Sequence, residues 1–159
     1  MKGVELTAQL SINSTAFLHP SSFIPHPFVE MNSYTDPAIR ITLLPRDTNP
    51  QGTIFGGIIL SYIDMAGAIE AHRHTGMPRF VTVAMREIIF HKPVFVGDLV
   101  SFYAETVRVG TTSITIRVVV ETERHGGTSR DRIRVTEAEV VYVAVDENRK
   151  KTRIKISDK

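Results

Sequence analysis

The run Asp47-Thr48-Asn49-Pro50-Gln51-Gly52-Thr53-Ile54-Phe55-Gly56-Gly57 leads directly into Ile58-Ile59-Leu60-Ser61-Tyr62-Ile63-Asp64-Met65-Ala66-Gly67-Ala68-Ile69. The first half is turn-forming, because Asn, Pro and Gly each favour backbone conformations that reverse the chain. The second half is a helix, apolar on nearly every side, that calls for cover from other structure over most of its surface. Where the halves meet, Gly56 and Gly57 leave bare backbone N–H groups at a helix N-terminus. Such an end favours negative charge, including the charge that develops on a carbonyl oxygen under attack. Asp64 is the one acid inside the apolar stretch, and a carboxylate there is costly unless partnered or put to use. An anion-stabilising helix end and a displaced carboxylate together suggest acyl chemistry.

Helix geometry adds a constraint. Gly56 and Asp64 are eight residues apart, which places them about 12 Å apart along one helix axis. A base or nucleophile must come within about 3 Å of the reacting atom, or act through one water. One carbonyl therefore cannot meet the Gly56 N–H and the Asp64 carboxylate of the same helix. If the two groups cooperate, a two-fold axis must bring Asp64 of one subunit against Gly56 of another, so the motif predicts a dimer with shared active sites. Plainer roles stay open for each residue. Asp64 could be satisfied by Ser61 or a loop amide, and Gly56-Gly57 could serve close helix–sheet packing. Asn49 could simply form the turn beside Pro50, or its amide could orient a water.

At 159 residues the chain is long enough for one domain with a real core. Its 42% apolar and 23% charged content is that of an ordinary soluble globular protein. No run of about 18 apolar residues occurs, so no membrane span is expected. The absence of cysteine excludes a disulfide scaffold, a thiolate nucleophile and cysteine metal sites, and fits a cytoplasmic location. His72 and His74 are two apart and point to different helix faces, so no metal pair is expected. The chain has no Gly-x-Ser-x-Gly elbow, phosphate-binding loop or Gly-x-Gly-x-x-Gly, which removes support for serine-hydrolase and nucleotide chemistry. The net charge of +2 and the lack of aromatic interleaving leave nucleic acid without a binding motif. The one basic cluster, Arg149-Lys150-Lys151-Thr152-Arg153-Ile154-Lys155, reads as part of a solvated tail over 149–159, with a phosphate-bearing ligand or a neighbouring subunit as alternatives.

Residues 1–37 hold four of the eight prolines and show no clean period, so a poorly ordered extension is expected there, with Met31 a plausible start. From 38 to 148 the pattern is one domain. A short strand spans Ile39 to Leu44, and the helix runs from about Ile54 to Arg73, stopped by Gly76 and Pro78. Strands follow at Phe80 to Phe90, Leu99 to Val109, Ser113 to Glu123 and Ile133 to Val145. Ile114, Ile116, Val118 and Val120 alternate cleanly on one face, and His125 to Ser129 forms a Gly-rich loop. Short connections between the late strands imply an antiparallel meander, with the helix on one sheet face. A helix apolar on most sides needs a strongly curved sheet around it. This α+β order, one long central helix wrapped by a curved antiparallel sheet, resembles the hotdog fold.

The motifs bear out a family resemblance. The run Asp47-Thr48-Asn49, then Gly52, Ile54-Phe55-Gly56-Gly57 and Asp64, is similar to hotdog-fold acyl-CoA thioesterases of the YciA-like and cytosolic acyl-CoA hydrolase type. Val81-Thr82-Val83 follows, then Phe90-x-Lys92-Pro93-Val94-x-Val96-Gly97-Asp98 and Gly110-Thr111-Thr112-Ser113. Thr136-Glu137-Ala138 and Tyr142-Val143-Ala144-Val145-Asp146 complete the series. The resemblance implies hydrolysis of acyl-CoA to free acid and CoA without metal or other cofactor, coenzyme A being part of the substrate. It puts the family's carboxylate, as base or nucleophile, on Asp64, its loop asparagine on Asn49 and its oxyanion donor on the Gly56 N–H, with Gly57 adjacent. Thr82 matches a position close to the thioester, and Lys92 and Ser113 match positions that meet the CoA arm. It also implies a hexamer built as a trimer of dimers. Two other functions compete: a non-catalytic acyl-CoA-binding hotdog protein, and a hotdog dehydratase. The dehydratase typically pairs a histidine with the acid, and no histidine lies between Arg40 and Glu70.

Overall fold

One helix and five strands make up the residues that the computed structural model describes, 36–126 and 129–156. In chain order they are β1 (Ile39–Thr42), α1 (Gly56–Thr75), β2 (Phe80–Arg86), β3 (Leu99–Val109), β4 (Ser113–Gly126) and β5 (Ser129–Ala144). The strands form one antiparallel sheet in the order β1-β3-β4-β5-β2, so β3, β4 and β5 are the expected meander. Register shifts at Thr82/Ala84, Thr106/Arg108 and Val120/Glu121 interrupt three of the ladders, and such irregularities bend a strand and increase its twist. The sheet curls around α1 as a half-barrel, which is the hotdog arrangement.

Period-2 patterning decides which sheet face meets the helix. Phe102 of β3, Ile114, Ile116, Val118 and Val120 of β4, and Val140 and Tyr142 of β5 are fully or nearly fully buried, and pack in one core with Ile59, Ile63 and Ala66 of α1. Burial of each large apolar side chain stabilises the fold by about 1.5–3 kcal/mol. The opposite face is charged: Arg117 lies between Glu105 and Glu139, at 3.5 and 3.7 Å, and Arg132 pairs with Glu121 at 2.7 Å. Sheet and helix together bury one face of α1, through Ile59, Ile63, Ala66, Gly67, Ala71 and Thr75. The cover expected on most sides is therefore absent within one subunit. Met65 (45% exposed) and Ile69 (38%) stand on the open side of the helix.

Several boundaries differ from those expected, for local reasons. α1 begins at Gly56 rather than Ile54, because the Ile54 N–H donates to the Val94 carbonyl at 2.8 Å and Ile54 bridges Thr48. It ends at Thr75, two residues beyond Arg73, where Gly76 takes φ +73° and returns its N–H to the His72 carbonyl. β1 stops at Thr42 because Pro45–Asp47 turns into a short 3₁₀ helix. β2 stops at Arg86, where Glu87 adopts φ +41°, so 87–90 are not strand. The Gly-rich loop from His125 to Ser129 is narrower than expected, since β4 runs to Gly126 and β5 starts at Ser129. The expected N-terminal extension lies outside the described residues except for its last two, Asp36 and Pro37. In the basic segment, Lys151 bridges Val145, the Thr152 N–H reaches the Ala144 carbonyl and the Ile154 N–H reaches the Thr111 carbonyl. The side chains of Arg149, Lys150, Lys151, Arg153 and Lys155 are exposed. No helix is long and apolar enough to cross a membrane among the described residues.

Candidate active site

Asp64 sits half-buried on α1, and its Oδ1 accepts a 2.6 Å hydrogen bond from the Thr82 hydroxyl on β2. Ser61 is not its partner: the Ser61 hydroxyl donates to the Ile58 carbonyl at 2.7 Å, as helical serines do. A second group holds the same turn of helix. The Tyr142 hydroxyl donates to the Asp64 backbone carbonyl at 2.7 Å. Tyr142 reaches that carbonyl because Gly67, one turn on, has no side chain. A Cβ at Gly67 would run into the Tyr142 hydroxyl. Glycine inside a helix costs about 1 kcal/mol relative to alanine, and this close approach is the structural reason for it. Burial, with the Asp64 charge and hydrogen bonding beside it, pushes the Tyr142 phenol well above its ordinary pKa. Tyr142 therefore remains a proton donor at any working pH. The sequence assigns neither Gly67 nor Tyr142 a part in the site, although a mid-helix glycine is a signal of close approach.

The loop before α1 is a small closed unit. Thr48 and Ile54 bridge, and within them the Asn49 N–H donates to the Thr53 carbonyl and the Gly52 N–H to the Asn49 carbonyl. Gly52 takes φ +80°, a conformation glycine adopts without steric cost. The Asn49 side chain is spent largely on this loop: Oδ1 accepts the Gln51 and Thr53 N–H groups, at 3.0 and 3.2 Å, and Nδ2 donates to the Thr53 hydroxyl at 2.8 Å. Asn49 is thus the turn-former, with one amide hydrogen left over among the described residues. The loop closes on the helix through the Phe55 N–H, which donates to the Asp47 carbonyl at 2.8 Å, and the Ile58 N–H returns to the Phe55 carbonyl. Among the described residues the Gly56 and Gly57 N–H groups have no acceptor. They are the bare amides at the positive end of α1. A Cβ at Gly56 would meet only the Phe90 ring, at the ordinary contact distance of 3.5 Å. Close packing therefore does not require glycine at 56, whereas a Cβ at Gly57 would collide with the Phe55 ring.

Beside Gly56 opens a cleft of about 270 Å³, lined by Thr53, Ile54, Gly56, Ile59, Phe90, His91, Lys92, Pro93 and Val94. Lys92 and Gly56 thus share one cleft, and Asp64 and Thr82 form one contact. Ser113 joins neither. It pairs with Val143, which pairs in turn with Val81, so it lies two strand spacings, about 10 Å, from β2. The inward position beside it belongs to Ile114, fully buried, and alternation turns Ser113 to the outer face. Because α1 is continuous from Gly56 to Thr75, the bare amides and the Asp64 carboxylate stay about 12 Å apart within one subunit. Among the described residues no group of three or more His, Cys, Asp or Glu side chains could hold a metal ion.

The family model described as the thioesterase superfamily matches residues 51–128. This chain belongs to the thioesterase superfamily. Gly56, Gly57, Asp64, Thr82, Lys92 and Ser113 fall inside that match, and Asn49 lies two residues before it. The thioesterase-superfamily chain is similar to the acyl-CoA thioester hydrolase YciA of Escherichia coli (strain K12), with 41% identity over 112 residues, 70% of this chain and 84% of that protein. Among solved structures it is similar to a hexameric hotdog fold thioesterase of Campylobacter jejuni, with 45% identity and a TM-score of 0.71, covering 75% of this chain and 90% of that one. It is also similar to a hexameric broad specificity acyl-coenzyme A thioesterase, with 39% identity and a TM-score of 0.70, covering 77% and 82% of the two chains.

Proposed function

We propose that this protein hydrolyses acyl-CoA thioesters to the free acid and CoA, in active sites shared across a two-fold dimer interface. The observation that carries it is the division of one helix: bare Gly56 and Gly57 amides at its start, and a carboxylate held by Thr82 about 12 Å further on. In the dimer the thioester carbonyl oxygen accepts the Gly56 N–H, with Gly57 beside it, and Asp64 of the partner subunit faces the carbonyl carbon. Asp64 takes a proton from water while the water oxygen forms the new C–O bond, or attacks the carbon itself to give an anhydride that water then opens. Either way the C–S bond breaks, and the departing CoA sulfur takes up a proton. The amides stabilise the negative charge on the carbonyl oxygen, which is where such donors act most strongly. Thr82 orients the carboxylate, and Asn49 sets the loop and offers its remaining N–H to water. Lys92 serves the CoA arm from the cleft, which Ser113, on the outer face of the sheet, could join only from another subunit.

The exposed apolar residues on the open side of α1 and on β2, namely Met65, Ile69, Val81 and Val83, supply surface for that dimer. By likeness to the hexameric relatives the protein assembles as a hexamer; three of the proposed dimers build it, and a cytoplasmic location is part of the same proposal. The deciding experiment is release of CoA from a panel of acyl-CoAs, followed by free-thiol detection. Thiol release establishes the hydrolase. Tight binding without release gives a binding protein instead, and conversion of a β-hydroxyacyl-CoA without thiol release gives a dehydratase.

A further inference from the structure

Residues 87–98 join β2 to β3 and carry Phe90, Lys92 and Val94 of the cleft beside Gly56. The segment forms neither helix nor strand. β5 holds its middle, where the His91 N–H donates to the Val135 carbonyl at 2.8 Å and the Thr136 hydroxyl donates to the Ile89 carbonyl at 2.9 Å. An ion pair with a buried carboxylate holds its end. Arg124 Nε donates to Asp98 Oδ1 at 3.0 Å, and Nη2 donates both to Asp98 Oδ2, at 2.7 Å, and to the Pro93 carbonyl, at 3.1 Å. Asp98 Oδ2 also accepts the Phe95 N–H at 3.0 Å, and the guanidinium lies 4.6 Å over the Phe95 ring. Asp98 is 3% exposed. Next to Pro93, the Val94 carbonyl accepts the Ile54 N–H at 2.8 Å, and Ile54 stands two residues before Gly56. A continuous line of direct contacts thus runs from Arg124 through Pro93, Val94 and Ile54 to the start of α1. Two parallel hydrogen bonds between guanidinium and carboxylate fix orientation as well as distance. Only the carboxylate of the pair is buried, the guanidinium side chain being 34% exposed. Drawing such a charge out of water offsets much of the attraction, so positioning is the better account of the pair.

We propose that Arg124 and Asp98 are positioning residues for the hydrolysis, setting where the Gly56 amide and Lys92 stand across the cleft. The proposal rests on the thioesterase reading of that cleft. Removing the guanidinium leaves the Pro93 carbonyl without its donor and the buried Asp98 carboxylate with the Phe95 N–H. The 92–98 end of the segment, beyond its tie to β5 at His91, then shifts and Ile54 shifts with it. A shift of about 1 Å in a catalytic group can lower the rate by as much as 10²-fold. A clamp that served stability alone would lower the melting temperature and leave the turnover of the folded enzyme as it was.

The test compares wild type with Arg124→Met and Arg124→Lys, on an acyl-CoA and on the same acyl thioester of N-acetylcysteamine, which lacks the nucleotide. Arg124→Met is expected to lower kcat about tenfold or more on both thioesters, since the Gly56 amide acts on the carbonyl they share. It should also raise KM for the acyl-CoA more than for the truncated ester, since Lys92 serves only the longer one. Arg124→Lys keeps the charge but cannot span both Asp98 oxygens and the Pro93 carbonyl, so its kcat should fall between the other two. A folded Arg124→Met, with elution volume retained, whose kcat stays within about twofold of wild type overturns the proposal, whether or not its melting temperature falls. If Arg124→Met does not fold, Arg124→Lys decides: wild-type kcat overturns the proposal, and a reduced kcat at unchanged elution supports it. A wild-type protein that releases thiol from neither ester overturns the thioesterase reading itself, which is a separate result from an active wild type with indifferent variants.

Discussion

Thr82 on the edge strand β2 donates a 2.6 Å hydrogen bond to Asp64 on α1, across 18 residues of sequence. Thr82 stands at the register shift between Thr82 and Ala84, a place where a bulge re-aims a side chain. A hydrogen bond to a charged acceptor contributes about 1.5–3 kcal/mol. Thr82→Val should therefore lower kcat about tenfold with the fold retained, and Thr82→Ser, which keeps the donor, should restore most of it. Steady-state kinetics with circular dichroism on both variants checks this.

Asp64→Ala removes the proposed base or nucleophile and leaves only a small void on a half-buried position. Turnover should fall by about 10²-fold or more while the melting curve is retained. Activity within about threefold of wild type would make Asp64 structural and discard the mechanism.

Asn49→Ala and Asn49→Asp separate loop closure from water orientation. Alanine loses the two N–H acceptors and the Thr53 contact, whereas aspartate keeps the acceptors and can take a hydrogen bond from the Thr53 hydroxyl. If the remaining amide hydrogen orients water, both variants lower kcat more than they raise KM. Recovery in Asn49→Asp alone assigns Asn49 to the loop, and a pure KM effect assigns it to CoA binding.

Shared sites predict complementation between dead subunits. Gly56→Val should block the oxyanion position without unfolding the chain, because a Cβ there meets only Phe90. Mixed and re-equilibrated with Asp64→Ala subunits, it should restore roughly a quarter of wild-type activity, since half the dimers are mixed and each has one intact site. An active monomer by light scattering would overturn the shared site.

The Asp98–Arg124 pair sets a pH dependence of stability. Burial raises the Asp98 pKa, but the Arg124 hydrogen bonds, the Phe95 N–H and the Arg124 charge outweigh it and hold the carboxyl below its ordinary 3.8. The folded state thus binds this proton less readily than the unfolded chain does. The stabilisation is present above the ordinary value and is lost as the pH falls through the folded one. Between about pH 5 and pH 2 wild type should lose more stability than Asp98→Asn, as read from urea midpoints.

The hotdog architecture was legible because its signals are local. Asn49-Pro50 and Gly52 mark the turn, Gly76 and Pro78 stop the helix, and the alternation from Ile114 to Val120 marks a half-buried strand. The rise per residue along a helix alone separated Gly56 from Asp64 and so pointed to two subunits. What lies beside what was not legible. The pairing of Thr82 with Asp64, the Tyr142 hydroxyl seated over Gly67 and the Arg124 fork on Asp98 join residues 18, 75 and 26 positions apart. Each depends on strand order and register, which a run of residues does not carry. The open side of α1 is the same lesson in reverse: its composition demanded cover on most sides, and one subunit covers a single face. Local backbone preference and burial period are written residue by residue, whereas contacts between distant groups arise only when the whole core packs, because packing selects which faces meet.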